Sequence, residues 1–299
     1  MTSAQAWTVS MSLTVIAIVP GLGQAQTLGG ASSPSGSVAA AEAPVPLERW
    51  EFTLGGRIGA PIGRLQVGES LAGSSTPGTR LSLSTLDIQV SETIEASTAF
   101  HFTPYDALRF TALYSFLRGD STPSVSVTYN GQEFKPGPLH ANADFSRFDL
   151  AYERLLWRST DDDLIGSLGL AYVYFNPTLT SRGHKGSEDS EDFYLQELPV
   201  PIAGVRWSHV LADHWLLRLG VSGGGLPKVD SLRKEGGTVY LQQSHADADA
   251  GLVYRWTRAV ELEIAYHLTY FFQHEKSHED DNLFELIDNG VRARLTIRF

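Results

Sequence analysis

From Leu47 onward, apolar and polar residues alternate with a period of two, and the alternation breaks where Gly, Pro, Asn and Asp cluster. Such a pattern predicts strands with one greasy and one polar face, not helices. It is sharpest at the end of the chain, where Val291, Ala293, Leu295, Ile297 and Phe299 share one parity and Arg292, Arg294, Thr296 and Arg298 share the other. Upstream, Trp50, Phe52, Leu54 and Ile58 oppose Glu51, Thr53 and Arg57, and Phe148, Leu150 and Tyr152 oppose Arg147, Asp149 and Glu153. Ala203, Val205 and Trp207 oppose Arg206, and Trp215, Leu217, Leu219 and Val221 oppose Arg218. Alternate positions from Val260 to Phe272 are apolar or aromatic, against Glu261, Glu263 and His267.

About ten such strands are predicted, joined alternately by short and long connections. The short ones are TPYD, RSTDDD, ADH and TRA; the long ones cover 60–90, 119–138, 181–193, 227–237 and 273–284. NGQEFKPGP reads as a protruding hairpin within the second long connection. A soluble sandwich predicts no such alternation between two rims, and in water the 260–272 face would be a large sticky patch. Lipid is the environment that such a face fits. Trp50, Trp157, Trp207, Trp215 and Trp256 lie near the short-turn ends of strands, where an interfacial aromatic girdle belongs. The expected fold is therefore all-β, an antiparallel up-and-down transmembrane barrel.

The amphipathic strand ending in Leu295, Ile297 and Phe299 resembles the C-terminal signal of bacterial outer-membrane β-barrel proteins. That resemblance, to the small monomeric type, implies residence in the outer membrane after export through the periplasm. It also implies contact with outer-membrane lipid and with the barrel assembly machinery through the last strand. Residues 7–22 form a short apolar run followed by GQAQ, which predicts a signal peptide over 1–25, although no Lys or Arg precedes the run. Residues 26–47, rich in Gly, Ser, Ala and Pro, read as a flexible linker, leaving 48–299 for the barrel.

Composition changes this picture only by exclusion. Mean hydropathy is -0.11 with 42% hydrophobic residues, as expected if each lipid-facing residue is followed by a polar one. No apolar run is long enough for a membrane helix. A net charge of -11 argues against nucleic acid as a partner. The absence of cysteine removes disulfides and thiolate chemistry.

The polar face carries the candidate chemistry. Arg147, Asp149, Glu153, Arg206, Arg218, Arg255, Glu261, Glu263, His267, Arg292, Arg294 and Arg298 would form a charge network in the lumen. Buried charges must pair or meet water, and a barrel of about ten strands is barely wider than its side chains. The favoured reading is thus a structural or surface-exposed barrel plugged by ion pairs, with a narrow channel for small solutes as the alternative. His245, Asp247 and Asp249 share the polar parity and are the candidates for hydrolytic chemistry, since a carboxylate can orient a histidine to activate water. Their arrangement resembles the omptin proteases, ten-stranded barrels with Asp and His above the lipid, though the family's further acidic pair has no counterpart here. A lipid-modifying enzyme belongs to the same alternative. If these residues are structural instead, Arg218, Arg292 and Arg294 are their expected partners. No metal site or cofactor is expected: the run His274, Glu275, His278, Glu279, Asp280 and Asp281 reads as a solvated loop, and VSGGGLP lacks the strand-turn-helix setting of a phosphate loop.

Overall fold

The computed structural model describes residues 49–71, 74–181, 188–190, 198–230, 240–276 and 281–299, with side chains undescribed at 69–75 and 188–190. The expected signal peptide and linker lie outside these residues; the chain divides into two units, Met1–Val45 and Pro46–Phe299, and the described residues belong to the second.

Ten long strands form the second unit: β1 (Trp50–Gln66), β2 (Ser91–His101), β3 (Asp106–Phe116), β4 (Phe145–Arg158), β5 (Asp162–Phe175), β6 (Val200–Ala212), β7 (Trp215–Asp230), β8 (Tyr240–Arg255), β9 (Val260–Lys276) and β10 (Asp281–Arg298). Each pairs antiparallel with its sequence neighbour, and β10 returns to pair with β1 from Glu51↔Arg298 to Gln66↔Leu283. Closure leaves no long unpaired edge, which a barrel in lipid requires because nothing there can satisfy a free backbone group. This is an antiparallel, transmembrane-type up-and-down β-barrel with no helix among the described residues.

Parity decides which wall each side chain joins. On β1, Leu54 and Ile58 are 61% and 67% exposed, whereas Glu51, Thr53 and Arg57 are buried in the lumen. On β9, Leu262, Ile264, Tyr266 and Leu268 face out, and Glu261, Glu263 and His267 are buried. From Phe299 to Ile287 the outer wall is apolar except at Asn289, whose side chain bonds the Tyr266 hydroxyl and the Ala60 carbonyl. At about 3.3 Å per residue and a tilt near 40°, this band is about 30 Å tall, enough for a bilayer core. Trp50, Trp157, Trp215 and Trp256 are exposed at the short-turn rim, and Phe299 stacks on Phe52 with ring centres 5.5 Å apart. These features are those of a bacterial outer-membrane barrel.

The short turns fall at 102–105, 159–161, 213–214 and 256–259. Three of the long connections are shorter than the sequence pattern predicts, because the strands rise beyond the lipid band: β1 continues to Gln66, β7 to Asp230, and β9 and β10 extend to Lys276 and back from Asp281; the connections 117–144 and 176–199 are instead longer than expected. The reason is that the alternation persists there with weaker contrast, as Arg64 and Glu285 pair on the outside at 2.7 Å while Leu65 and Phe284 turn inward. The NGQEFKPGP segment does form a hairpin, Val127–Tyr129 with Gln132–Phe134, around Asn130 and Gly131 at positive φ. It does not protrude freely. Val127, Tyr129 and Phe134 are buried, and the Tyr129 hydroxyl donates to the Pro177 carbonyl at 2.7 Å.

Candidate functional site

The lumen has two storeys. At the long-loop end, its wall residues Leu65, Phe145, Val173, Phe175, Phe271, Phe284 and Leu286 pack with Leu83, Leu86, Ile88, Leu117, Tyr129 and Leu139 from the connections into one buried cluster. Phe175 stacks on Phe284 at 4.2 Å, and Phe145 on Phe271 at 6.0 Å. Polar clasps hold the loops to it: Asp144 accepts from the Leu117 amide at 2.8 Å and from Arg118, and the Gly68 amide donates to Asn282 Oδ1 at 3.2 Å. This apolar cap is absent from the pattern reading above. The signal for it was available, because on β4, β9 and β10 the lumen parity turns from polar to apolar towards the long loops, Arg147 to Phe145, Thr269 to Phe271 and Asp288 to Phe284, and on β5 from small to bulky apolar, Ala171 to Phe175.

Below the cap the lumen is ionic. Glu263 sits between Arg218 at 2.7 Å and Arg292 at 2.8 Å, with Arg294 at 3.7 Å. Glu261 takes Arg298 at 2.8 Å, Arg218 at 3.1 Å and Arg255 at 3.3 Å. Glu51 joins Arg298 to Arg109, each at 2.8 Å, and Glu153 joins Arg109 at 2.8 Å to Arg206 at 3.3 Å. Glu95 pairs with Arg294, and Asp249 with Arg292 at 3.4 Å. These contacts form one continuous network of seven arginines and six carboxylates. A second cluster adds Arg147 with Asp149 at 2.9 Å and Asp247 at 2.8 Å, and a third pairs Arg57 with Asp288 at 3.0 Å. Each of these charges is thus engaged by an opposite one, the condition under which buried ions are tolerated. Asp288 and its partner Ser91 were not singled out from the sequence, because both lie at the blurred upper end of the pattern.

The proposed catalytic trio does not assemble as a unit. Asp247 is held from across the lumen by Arg147 on β4, not by the neighbouring-strand arginines expected for it, because the barrel is narrow enough for opposite walls to touch. Asp249 meets Arg292. His245 is 3% exposed, lies against Phe271 with ring centres 5.0 Å apart, and its Nε2 has no hydrogen-bond partner among the described residues. The histidine that approaches the carboxylates of this trio is instead His267, with Nε2 3.6 Å from Asp247 Oδ1. Arg292 Nη1 lies 3.0 Å from its Nδ1, which as the only acceptor in that contact fixes the ring proton on Nε2. Nε2 then donates to Thr269 Oγ1 at 2.9 Å, Arg57 donates to the same oxygen at 2.9 Å, and the Thr269 hydroxyl donates a hydrogen bond to Asp247 at 2.8 Å. In this arrangement the imidazole cannot take the threonine proton, so the chain Arg292, His267, Thr269, Asp247 orients groups and does not activate a nucleophile.

Two adjoining cavities lie in this layer among the described residues. One, about 430 Å³, reaches from Arg158 and Asp163 at the short-turn rim past Arg109, Glu153, Arg206 and Arg218 to Asp249 and Arg294. The other, about 160 Å³, continues from Asp249 and Arg294 to Arg147, Asp247 and His267. The lining changes to the apolar cap at the next lumen residue above Arg147, Phe145, while the one above Asp247, His245, rests on Phe271 of the cap. At the short turns, Asp106 accepts from the Tyr152 and Thr103 hydroxyls, which hold its carboxyl below the usual range.

No protein-family model and no curated protein sequence matches the chain. Among solved structures it is similar to the outer membrane protease OmpT from Escherichia coli, with a TM-score of 0.49 and 12% identity over 83% of this chain and 97% of that one. It is also similar to the translocator domain of the autotransporter NalP from Neisseria meningitidis, with a TM-score of 0.42 and 12% identity over 85% and 90%. A third similar structure is Neisserial surface protein A, with a TM-score of 0.27 and 11% identity over 84% and 97%.

Proposed function

We propose that this chain is a monomeric, non-conducting outer-membrane barrel whose role is structural or is exercised by what it presents at the long-loop rim. The observation that carries this reading is the double closure of the lumen, an ion-pair layer beneath a packed apolar cap. An ion entering from the short-turn side meets engaged charges and then the packed rings of Phe145, Phe175, Phe271 and Phe284, among which the polar lumen residues at that level, His245, Gln243 and Gln273, are themselves buried. The test is conductance in planar bilayers: the folded protein should leave the membrane silent at either polarity. Stepwise openings at single-channel level would replace this reading with the narrow-channel one.

In this reading the short turns face the periplasm and the long connections face outward, as short and long connections do in bacterial barrels. Outer-membrane lipid covers the apolar band. Leu295, Ile297 and Phe299 face that lipid from β10, the strand that closes the barrel against β1, and they are the residues by which assembly machinery would recognise the chain. The main-chain bonds between Trp50 and Phe299, at 2.9 and 3.0 Å, join the first strand to the last residue.

A further inference from the structure

Two arginines in the ionic layer exceed what the ion pairs require. Arg109 holds Glu153 through both carboxylate oxygens, Nε to Oε1 at 2.8 Å and Nη2 to Oε2 at 3.2 Å, and Arg206 reaches that same Oε2 only at 3.3 Å. Glu261 is likewise held by Arg298 at 2.8 Å and by Arg218 at 3.1 Å, and Arg255 reaches it at 3.3 Å. Removing Arg206 or Arg255 would leave neither carboxylate unpaired. Both are also the most open members of the network, their side chains 32% and 38% exposed against 16% for Arg218 and 3% for Arg292.

Each uses one nitrogen on the protein, Nη2 of Arg206 and Nε of Arg255. Their other N–H groups have no side-chain partner among the described residues, and both side chains line the 430 Å³ cavity that reaches the short-turn rim. The network to which they belong carries one more arginine than carboxylates, so the surplus of charge at this mouth is positive. A guanidinium with a free fork on a partly desolvated wall matches the paired oxygens of a carboxylate or phosphate.

We propose that Arg206 and Arg255 form an oxyanion-binding site at the mouth of the lumen, open to the short-turn side and closed above by the rest of the network and the apolar cap. The ligand is a small phosphate or carboxylate. Neither arginine is needed to hold the barrel together, which makes the site separable from folding.

The folded full-length barrel in detergent should be titrated by calorimetry with inorganic phosphate and, separately, with succinate, at ionic strength matched with chloride. At least one of the two should bind at 1:1 stoichiometry where chloride does not, and which one does so identifies the head group. Arg206→Gln and Arg255→Gln should each keep the heat-modifiable folded band and lose affinity by about tenfold or more. Arg154→Gln, on the outer face beside Asp106, should change nothing. Should the glutamine variants fold poorly, Arg206→Lys with Arg255→Lys keeps both charges, removes both forks, and should still weaken binding. Phosphate and succinate indistinguishable from chloride, or undiminished binding in the double lysine variant, would overturn the proposal.

Discussion

Replacing Glu263 by Gln offers the most direct test of whether ion pairs hold the lumen together. Glu263 is 4% exposed and binds Arg218 at 2.7 Å and Arg292 at 2.8 Å. The amide would retain shape and one acceptor, but it would bring an NH2 group against a guanidinium and remove the charge between three cations. Breaking a buried pair costs about 3–5 kcal/mol when the surviving charge is left alone. Here neither arginine is left alone, since Arg218 keeps Glu261 at 3.1 Å and Arg292 keeps Asp249 at 3.4 Å. The lower end, about 3 kcal/mol, is therefore the expected loss. Asp249→Asn is the internal comparison. Its single ion pair is longer, 3.4 Å, and Arg292 retains the shorter bond to Glu263, so the expected loss is about 1 kcal/mol. Equilibrium urea unfolding from lipid vesicles, followed by tryptophan fluorescence and by heat-modifiable mobility, gives both numbers on one scale. If Asp249→Asn costs as much as Glu263→Gln, or if Glu263→Gln is within error of wild type, the pairing distances do not govern stability and the argument fails.

Other outcomes follow from separate parts of the molecule. Deleting the 127–134 hairpin removes Val127, Tyr129 and Phe134 from the cap and should leave the barrel silent, because the ionic layer beneath is untouched; a folded deletion variant that conducts would place the seal in the cap alone. Loss of Phe299 removes the stack on Phe52 and the two main-chain bonds to Trp50, and should prevent barrel assembly in the outer membrane while export continues; a normal heat-modifiable band in that variant would refute the assembly role. A peptide tag placed within 182–187 should be reached by antibody on intact cells and one within 159–161 should not; the reverse would invert the orientation. The Asp106 carboxyl, lowered from its ordinary 3.8 by the Tyr152 and Thr103 hydroxyls, contributes stability that is fully present above that value and lost as pH falls through the lowered one. Tyr152→Phe should therefore reduce the acid-side dependence of unfolding, and an unchanged pH profile would show that this turn does not contribute.

Period-two alternation is a local property, and everything that depends on it was legible in the chain. Leu54 and Ile58 face lipid and Glu51 and Arg57 face the lumen because successive side chains must point to opposite sides of a strand, whatever its partners are. The strand number, the closed antiparallel order and the two unlike rims follow from the same rule with the turn residues added. Partners across the lumen could not be read this way. Asp247 meets Arg147 one hundred residues earlier, and Arg298 meets Glu51 at the opposite end of the chain, because barrel curvature and strand stagger bring particular side chains together and neither is written in any single segment. The same holds for His245, which shares a face with Asp247 and Asp249 yet rests on Phe271 of the next strand. The apolar cap is intermediate. Phe145, Phe175, Phe271 and Phe284 stand at lumen parity in the sequence, but only the inward fold of the long connections shows what they pack against. Without a packed partner those rings would have been exposed to water in an open pore, and burying them with Leu83, Leu86 and Tyr129 is what closes the barrel.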